Sequence, residues 1–157
     1  MQKAYCCSLL PSTSEFYKLS AGVRQGGVLS PFLFGIYVDN VMAKLASSGL
    51  VCFMKCNCFN SIMYADDLII LSISLHHLQS LVNICVHEFK SIRMSINLLK
   101  SACLRVGPRH AAVCQPITIE QVPLKWVQEI KYLGIYLLSG KSFPLICNQL
   151  NKSFLKH

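Results

Sequence analysis

The sequence predicts an α+β fold in which an antiparallel sheet packs on two helices. Two stretches carry apolar residues at helical spacing, and several short apolar runs are bounded by turn residues. These elements do not alternate as in a βαβ series, which argues against a parallel sheet. No repeat or linker marks a boundary within the 157 residues, so residues 1–157 are treated as one unit.

The first helix is predicted from Pro31 to about Ser47, after a glycine-rich loop at 23–30. Proline suits a first helical turn, and Ser30 is the predicted cap. The apolar positions that recur at helical spacing are Leu33, Phe34, Tyr37, Val38, Val41, Met42 and Leu45. The residues on another face are Asp39, Asn40 and Lys44. The pattern predicts a core helix with one polar side.

Short strands are predicted at 51–55, 60–64 and 68–73, where the residues are apolar or β-branched. A second amphipathic helix follows from Ser74, its predicted cap, to about Met94. Its apolar face comprises Leu75, Leu78, Leu81, Val82, Cys85, Val86 and Phe89. The last candidate strands are 102–106, 117–119 and 130–137, with a turn at Gly107-Pro108.

Composition narrows the class of protein. Hydrophobic residues make up 53% of the chain and charged residues 14%, against about 25% charged in soluble domains. This predicts apolar surface that a partner or another part of a larger protein covers. No run of about 20 apolar residues is uninterrupted, and no credible signal peptide is present. Nine irregularly spaced cysteines argue against a secreted disulfide framework and fit a reducing compartment.

The formal net charge of +8 favours an anionic partner, of which nucleic acid is the commonest. A solvated basic surface without a specific partner is the alternative.

Two adjacent carboxylates, Asp66 and Asp67, lie between apolar runs and are predicted at a hairpin tip. Adjacent carboxylates repel each other, and burial of either is costly without a partner. A divalent cation relieves both effects, and Mg²⁺ in particular accepts carboxylates together with substrate phosphates. The alternative is an ordinary exposed turn, in which aspartate is common.

The order of motifs resembles the reverse transcriptases of LINE-like non-LTR retrotransposons from about Glu15 to Leu137. The most specific stretch, 22–31, reads Gly-Val-Arg-Gln-Gly-Gly-Val-Leu-Ser-Pro, and Tyr-Ala-Asp-Asp follows at 64–67. The resemblance implies a partial polymerase palm with a catalytic β-hairpin packed on two helices. It also implies RNA-directed DNA polymerase activity with Mg²⁺ in a two-metal site, and an RNA template, a DNA primer and deoxynucleoside triphosphates as partners. The intracellular compartments that it implies are the cytoplasm and the nucleus.

The resemblance assigns roles to individual residues. Asp66 and Asp67 become catalytic metal ligands. Lys100, in a segment at 94–101 that resembles the family's next motif, faces the triphosphate as a general acid or neutralising charge, unless it is a solvated surface lysine. The residues that would contact template, primer or nucleotide are Arg24, Gln25, Gly26, Tyr64, Tyr132 and Gly134. The last two belong to Lys131-Tyr132-Leu133-Gly134, which resembles the primer grip; alone it is also compatible with a strand that carries a bulge glycine.

The chain departs from the family pattern in its carboxylates. The family places a third aspartate upstream of the Gln-Gly-Gly loop, whereas the only aspartate here besides 66 and 67 is Asp39, downstream of that loop. Motifs of the fingers, thumb and endonuclease are missing. We therefore predict a truncated element or partial gene model that is inactive alone. Two alternatives are a non-enzymatic nucleic-acid-binding remnant and a chain too incomplete to fold stably.

Cysteine and histidine residues suggest two other kinds of site, a zinc site and a nucleophilic site. Cys52, Cys56 and Cys58 together with the histidines at 76–77 suggest zinc, but their spacing matches no common zinc motif. Cys85 and His87 lack the partner spacing of a nucleophilic site, so we predict a buried cysteine and an exposed histidine.

Overall fold

The computed structural model describes residues 27–54, 57–142 and 145–146. Helices and strands are mixed, as the α+β prediction requires. The helices are α1 (Ser30–Ser47) and α2 (Leu75–Ser91). The strands are β1 (Cys52–Met54), β2 (Asn57–Phe59), β3 (Ser61–Tyr64), β4 (Asp67–Ile70), β5 (Ala102–Leu104), β6 (Thr118–Ile119), β7 (Val122–Pro123), β8 (Lys125–Val127), β9 (Glu129–Tyr132), β10 (Ile135–Leu138) and β11 (Leu145–Ile146).

The strands of the described residues form several small sheets and not the single antiparallel sheet that was predicted. Antiparallel pairs join β1 to β2, β3 to β4 and β6 to β7, and β10 lies between β9 and β11. The exception is β5, which pairs with β8 in parallel. The chain between them makes the β6–β7 hairpin and returns in its original direction, which produces that parallel pair. Strands of two to four residues also have few groups with which to join a wider sheet.

Helix α1 is amphipathic, but its apolar side is wider than its buried side. Val38, Val41 and Leu45 are buried, whereas Leu33 and Tyr37, both predicted to lie in the core, are 48% and 59% exposed. The prediction that Ser30 caps this helix was wrong. Leu29 already has helical backbone angles at the cap position, so Ser30 is the first helical residue.

Helix α2 separates two clusters of buried residues. Leu81, Cys85 and Phe89 pack with the buried face of α1 in the first core cluster. One buried residue of α2, Val82, belongs to the second core cluster, whose other members are Cys103, Ile117, Ile119 and Leu124. Burial of each large aliphatic side chain contributes about 1.5–3 kcal/mol, so α2 holds the two halves of the molecule together.

The N-terminal part of α2 makes specific polar contacts. Ser74 occupies the cap position as predicted, but its backbone amide donates to the Ser72 hydroxyl at 3.2 Å and its own side chain makes no capping bond. One turn further on, the Gln79 side chain donates to the Thr118 carbonyl and accepts from the Thr118 amide, both at 2.8 Å. This pair of bonds ties β6 to the helix. Within the described ranges, no helix is both long and apolar enough to cross a membrane.

Candidate functional site

The two adjacent carboxylates lie at the tip of the β3–β4 hairpin. Tyr64 pairs with Asp67, so the turn consists of only Ala65 and Asp66. Ala65 has a φ of +50°, a region that costs non-glycine residues about 1–2 kcal/mol. Asp66 and Asp67 are exposed and make no ion pair within the described part of the chain. The tight turn therefore presents both carboxylates to solvent on a short, constrained loop.

The two faces of this hairpin have different environments because side chains alternate along a strand. Met63 and Leu68 are paired and pack against the first core cluster, together with Ile70. Tyr64, which is 63% exposed, and Asp67 share the opposite face. The apolar face fixes the position of the hairpin against both helices, and the other face carries the polar groups.

A residue that the sequence analysis did not single out anchors this hairpin. Asn60 is 2% exposed and precedes β3 directly. Its side-chain amide donates to the carbonyl of Leu45 at 2.5 Å and to the Ser48 hydroxyl at 3.3 Å, while its side-chain oxygen accepts from the Ser61 hydroxyl at 3.0 Å. The backbone carbonyl of Asn60 also accepts from the amide of Leu71, beyond β4. One buried side chain thus joins the hairpin to the end of α1.

Tyr132, at the end of β9, lies close enough to the hairpin to interact electrostatically with it. Its hydroxyl is buried and has no hydrogen-bond partner among the described residues. Burial of the hydroxyl raises the pKa of Tyr132, and the negative charge of Asp67 raises it further. The fold therefore brings together Asp67 and Tyr132, which are distant in sequence.

The β9–β10 hairpin has the tight glycine turn that was predicted. Tyr132 pairs with Ile135, which leaves Leu133 and Gly134 as the turn. Both have positive φ, +47° and +84°, as in a type I′ turn, where glycine is favoured. The predicted strand at 130–137 is therefore two strands. On β9, the Lys131 ammonium lies 5.8 Å from the ring centroid of Tyr136.

Lys100 lies in a turn that Asn97 organises. The Asn97 side-chain oxygen accepts from the backbone amides of Leu99 and Lys100 at 3.1 and 3.2 Å. The Asn97 carbonyl accepts from the amide and the hydroxyl of Ser101 at 3.0 and 2.8 Å. Lys100 is exposed and, in the part of the chain that is described, makes no ion pair with either aspartate. Asn97 acts here on the backbone of the turn.

Three of the predicted site residues, Arg24, Gln25 and Gly26, lie outside the described residues, as does Cys56. The described chain resumes at Gly27, whose carbonyl accepts from the Ser30 amide at 3.1 Å. Gly27 therefore belongs to the turn that precedes α1.

The donor set at the hairpin fits a hard divalent cation. Mg²⁺ is bound through one or two carboxylates, with waters and substrate phosphates completing its shell, and two unpaired carboxylates meet that requirement. No third His, Cys, Asp or Glu joins them among the residues described. Asp39 is exposed on α1.

The cysteines and histidines occupy ordinary structural positions. In the β1–β2 register Cys52 faces Phe59 and Cys58 faces Phe53, so the two cysteines are on opposite faces of the hairpin. Cys85 is buried, and burial raises the pKa of its thiol to about 12. His87 is exposed beside Glu88, with 3.1 Å between its Nδ1 atom and Oε1. The predictions of a buried Cys85 and an exposed His87 are thus confirmed.

A family model described as "Reverse transcriptase (RNA-dependent DNA polymerase)" matches residues 2–137, which include both hairpins. The chain therefore belongs to the reverse transcriptase family. Two retrovirus-related Pol polyproteins from the type-1 retrotransposable element R2 of Popillia japonica are each 31% identical to it, over 81% and 87% of this chain. These matches identify it as a reverse transcriptase domain of a LINE-like element.

The chain spans only a part of those relatives, 19% and 24% of their length. No solved structure matches it.

Proposed function

We propose that this chain forms the palm portion of an RNA-directed DNA polymerase, with Asp66 and Asp67 as the metal ligands for templated addition of deoxynucleotides to a DNA 3′ end. The observation that carries the proposal is the hairpin tip itself. Two unpaired, exposed carboxylates stand on a two-residue turn that is held from behind by the first core cluster and Asn60. Such a site keeps its geometry without burying the charges.

In this proposal individual side chains have separate roles in the reaction. Asp66 and Asp67 hold Mg²⁺, which when bound neutralises triphosphate charge and lowers the pKa of a 3′ hydroxyl. Lys100 neutralises the leaving pyrophosphate or gives it a proton. Tyr64 lines the nucleotide site because it shares the outer hairpin face with Asp67.

The remaining contacts are proposed for the nucleic acid and the incoming nucleotide. Arg24, Gln25 and Gly26 contact template and nucleotide just ahead of α1. Tyr132 and Gly134 contact the primer end, which agrees with the position of Tyr132 beside Asp67.

Catalysis by this chain alone is not expected. The two-metal reaction uses ligands shared between two ions, and only two carboxylates of the described residues meet at the hairpin. The second candidate function is therefore a nucleic-acid-binding remnant that performs no chemistry. The net charge of +8 and the incomplete donor set favour it for the isolated chain.

The first test measures divalent-metal binding and primer extension together. Mn²⁺, a paramagnetic substitute for Mg²⁺, is titrated into the chain with an oligo-dT primer on poly-rA, and water-proton relaxation reports the bound ion. We expect the Asp66→Asn, Asp67→Asn double variant to lose the tight Mn²⁺ site. The control Asp39→Asn, which removes an exposed aspartate from α1, should retain it.

Metal binding and extension with Mg²⁺, measured together, distinguish the two candidate functions, because a remnant that only binds nucleic acid would show neither a tight Mn²⁺ site nor extension. No extension, with Mn²⁺ bound through Asp66 and Asp67, is the expected result for an incomplete palm. Extension that the double variant loses would locate a further ligand within residues 1–157. Equal Mn²⁺ binding by the double variant and Asp39→Asn would contradict the proposed metal site.

A further inference from the structure

A cavity of about 240 Å³ lies at the far end of the β9–β10 hairpin from the Leu133-Gly134 turn. Its walls are the loop at 105–116, Trp126 of β8, and the two residues that flank the hairpin, Gln128 and Ser139. The Ser139 amide donates to the Gln128 carbonyl at 2.8 Å, which closes this end of the hairpin. None of the groups assigned to the polymerase site lines this cavity.

The loop that forms one wall is held in place by specific hydrogen bonds. The amide of Gly107 donates to the carbonyl of Gly140 at 2.8 Å, which attaches the start of the loop to the end of β10. The Arg105 guanidinium reaches across the loop, where Nη1 donates to the Ala112 carbonyl at 3.1 Å and to the sulfur of Cys114. These bonds form the cavity before any ligand arrives, which lowers the cost of binding.

The chemistry of the cavity suits an anionic, heterocyclic ligand. The lining contains a guanidinium, an imidazole and an indole but no carboxylate. Arg105 uses Nη1 within the loop and has donors left on its other nitrogens. His110 is half-buried, and its Nδ1 atom donates to the Gly107 carbonyl at 3.2 Å, so its Nε2 atom remains as an acceptor for an N–H or O–H group of a ligand. Arg109, beside it, adds an exposed positive charge.

Trp126 supplies an aromatic surface at fixed orientation. Its indole nitrogen donates to the carbonyl of Gln115 at 3.3 Å, and its ring remains partly exposed in the cavity. Bases of single-stranded nucleic acids stack on such rings with about 1–3 kcal/mol each. The volume is below the roughly 300–1,000 Å³ of sites for drug-sized ligands, which fits one base with part of its sugar.

We propose that this cavity binds one nucleotide of a single-stranded nucleic acid, with the base on Trp126, a phosphate on Arg105, and a base amino group or sugar hydroxyl that donates to Nε2 of His110. Tyr132 lies four residues along β9 from Gln128, or about 13 Å at roughly 3.3 Å per residue. Stacked nucleotides rise about 3.4 Å each, so the cavity meets the strand about four nucleotides from the proposed primer end. Only the distance between the cavity and the primer end rests on the proposed function, because binding of a nucleotide in the cavity needs neither a metal ion nor catalysis.

Trp126 is the single tryptophan of the chain, so its fluorescence reports directly on nucleotide binding in the cavity. The full chain is titrated with an oligouridylate of about 12 nucleotides in EDTA. We expect the oligonucleotide to quench Trp126 emission. Arg105→Gln should weaken the affinity about tenfold and should lower, by about one, the slope of the logarithm of the binding constant against the logarithm of the salt concentration. The matched control Arg93→Gln, which removes an exposed arginine after α2, should change the affinity by no more than about twofold.

A second variant keeps the test valid if Arg105→Gln disturbs the loop. Val113 lines the cavity with its side chain fully exposed, so Val113→Glu adds a repelling charge without removing a contact. We expect Val113→Glu to weaken binding about fivefold and Val113→Gln to leave it unchanged.

The ribose and deoxyribose forms of the oligonucleotide distinguish the source of the strand. Tighter binding of RNA supports the proposal and assigns the cavity to an RNA strand through its 2′ hydroxyl. Equal quenching by both supports it and assigns binding to base and phosphate alone. Nucleic-acid binding without Trp126 quenching, or equal losses in Arg105→Gln and Arg93→Gln, would overturn it. Loss of the Asp66 and Asp67 metal site would leave this binding intact, so the two proposals fail separately.

Discussion

Replacement of Asn60 by alanine should destabilise the fold through the attachment of the β3–β4 hairpin. The change removes the donor to the Leu45 carbonyl and the acceptor for the Ser61 hydroxyl at a site that is 2% exposed. The third bond lost is the one to the Ser48 hydroxyl, and each of the three costs about 1 kcal/mol, while the Leu45 carbonyl keeps its bonds from the amide and hydroxyl of Ser48. We therefore expect the free energy of unfolding to fall by about 3 kcal/mol.

Urea unfolding, followed by circular dichroism and Trp126 emission, measures this change. With an m-value of roughly 2 kcal/mol/M, a loss of about 3 kcal/mol lowers the midpoint by about 1.5 M. Asn83→Ala is the matched control, because Asn83 is exposed on α2 and only accepts from Gln79 at 2.9 Å. Its effect should stay within about 0.5 kcal/mol. Similar midpoints for the two variants would refute the anchoring role of Asn60.

Three further predictions concern single side chains. Ala65→Gly should stabilise the chain by about 0.5 kcal/mol because glycine relieves the positive φ, whereas Ala43→Gly, at an exposed interior position of α1, should destabilise it by about 0.5–1 kcal/mol; urea midpoints that move in the same direction would contradict this. The folded-state pKa of Cys85, about 12, exceeds its unfolded value of 9.0, so its contribution to stability is complete below pH 9 and declines as pH rises towards 12. Urea midpoints between about pH 8.5 and 10.5 should therefore fall less in Cys85→Ala than in the parent chain; equal slopes would exclude the thiol as the cause. Tyr132→Phe removes a buried hydroxyl that lacks a partner, so stability should hold or rise by up to about 1 kcal/mol, and a clear loss in a thermal melt would reveal a hydrogen bond from this group.

Local sequence patterns predicted much of the fold. The aspartate pair was placed at a hairpin tip because apolar runs flank it on both sides, and the register Tyr64 to Asp67 agrees with that reasoning. Both helices were found from apolar spacing, to within one residue at the start of α1 and three at the end of α2. These features depend on residues close together in the chain.

The remaining features depend on contacts between distant segments. Spacing shows that Leu33 and Tyr37 lie on an apolar side of α1, but not that this side is left exposed. The parallel pairing of β5 with β8 follows from the path of 20 intervening residues, 105–124, which no local pattern encodes.

Asn60 shows why an important positioning residue escaped notice. Asparagine between apolar runs usually indicates a turn, and its sequence context gives no sign that its amide reaches the Leu45 carbonyl, 15 residues away. A polar residue at the first position of a predicted apolar strand was the available signal. Its meaning became clear only from the burial.

Asp66 and Asp67 supply the charges of the proposed metal site, whereas other residues, buried behind the hairpin, fix their position. In the apolar interior, two adjacent carboxylates would protonate or destabilise the fold, since desolvation and mutual repulsion both oppose ionisation. At the tip they stay hydrated while Met63, Leu68 and Ile70 fix the strands behind them. The carboxylates can then be replaced without loss of folding, whereas substitutions behind them alter the geometry of the site. This division makes the Asp66 and Asp67 variants clean tests of chemistry and the Asn60 variant a clean test of position.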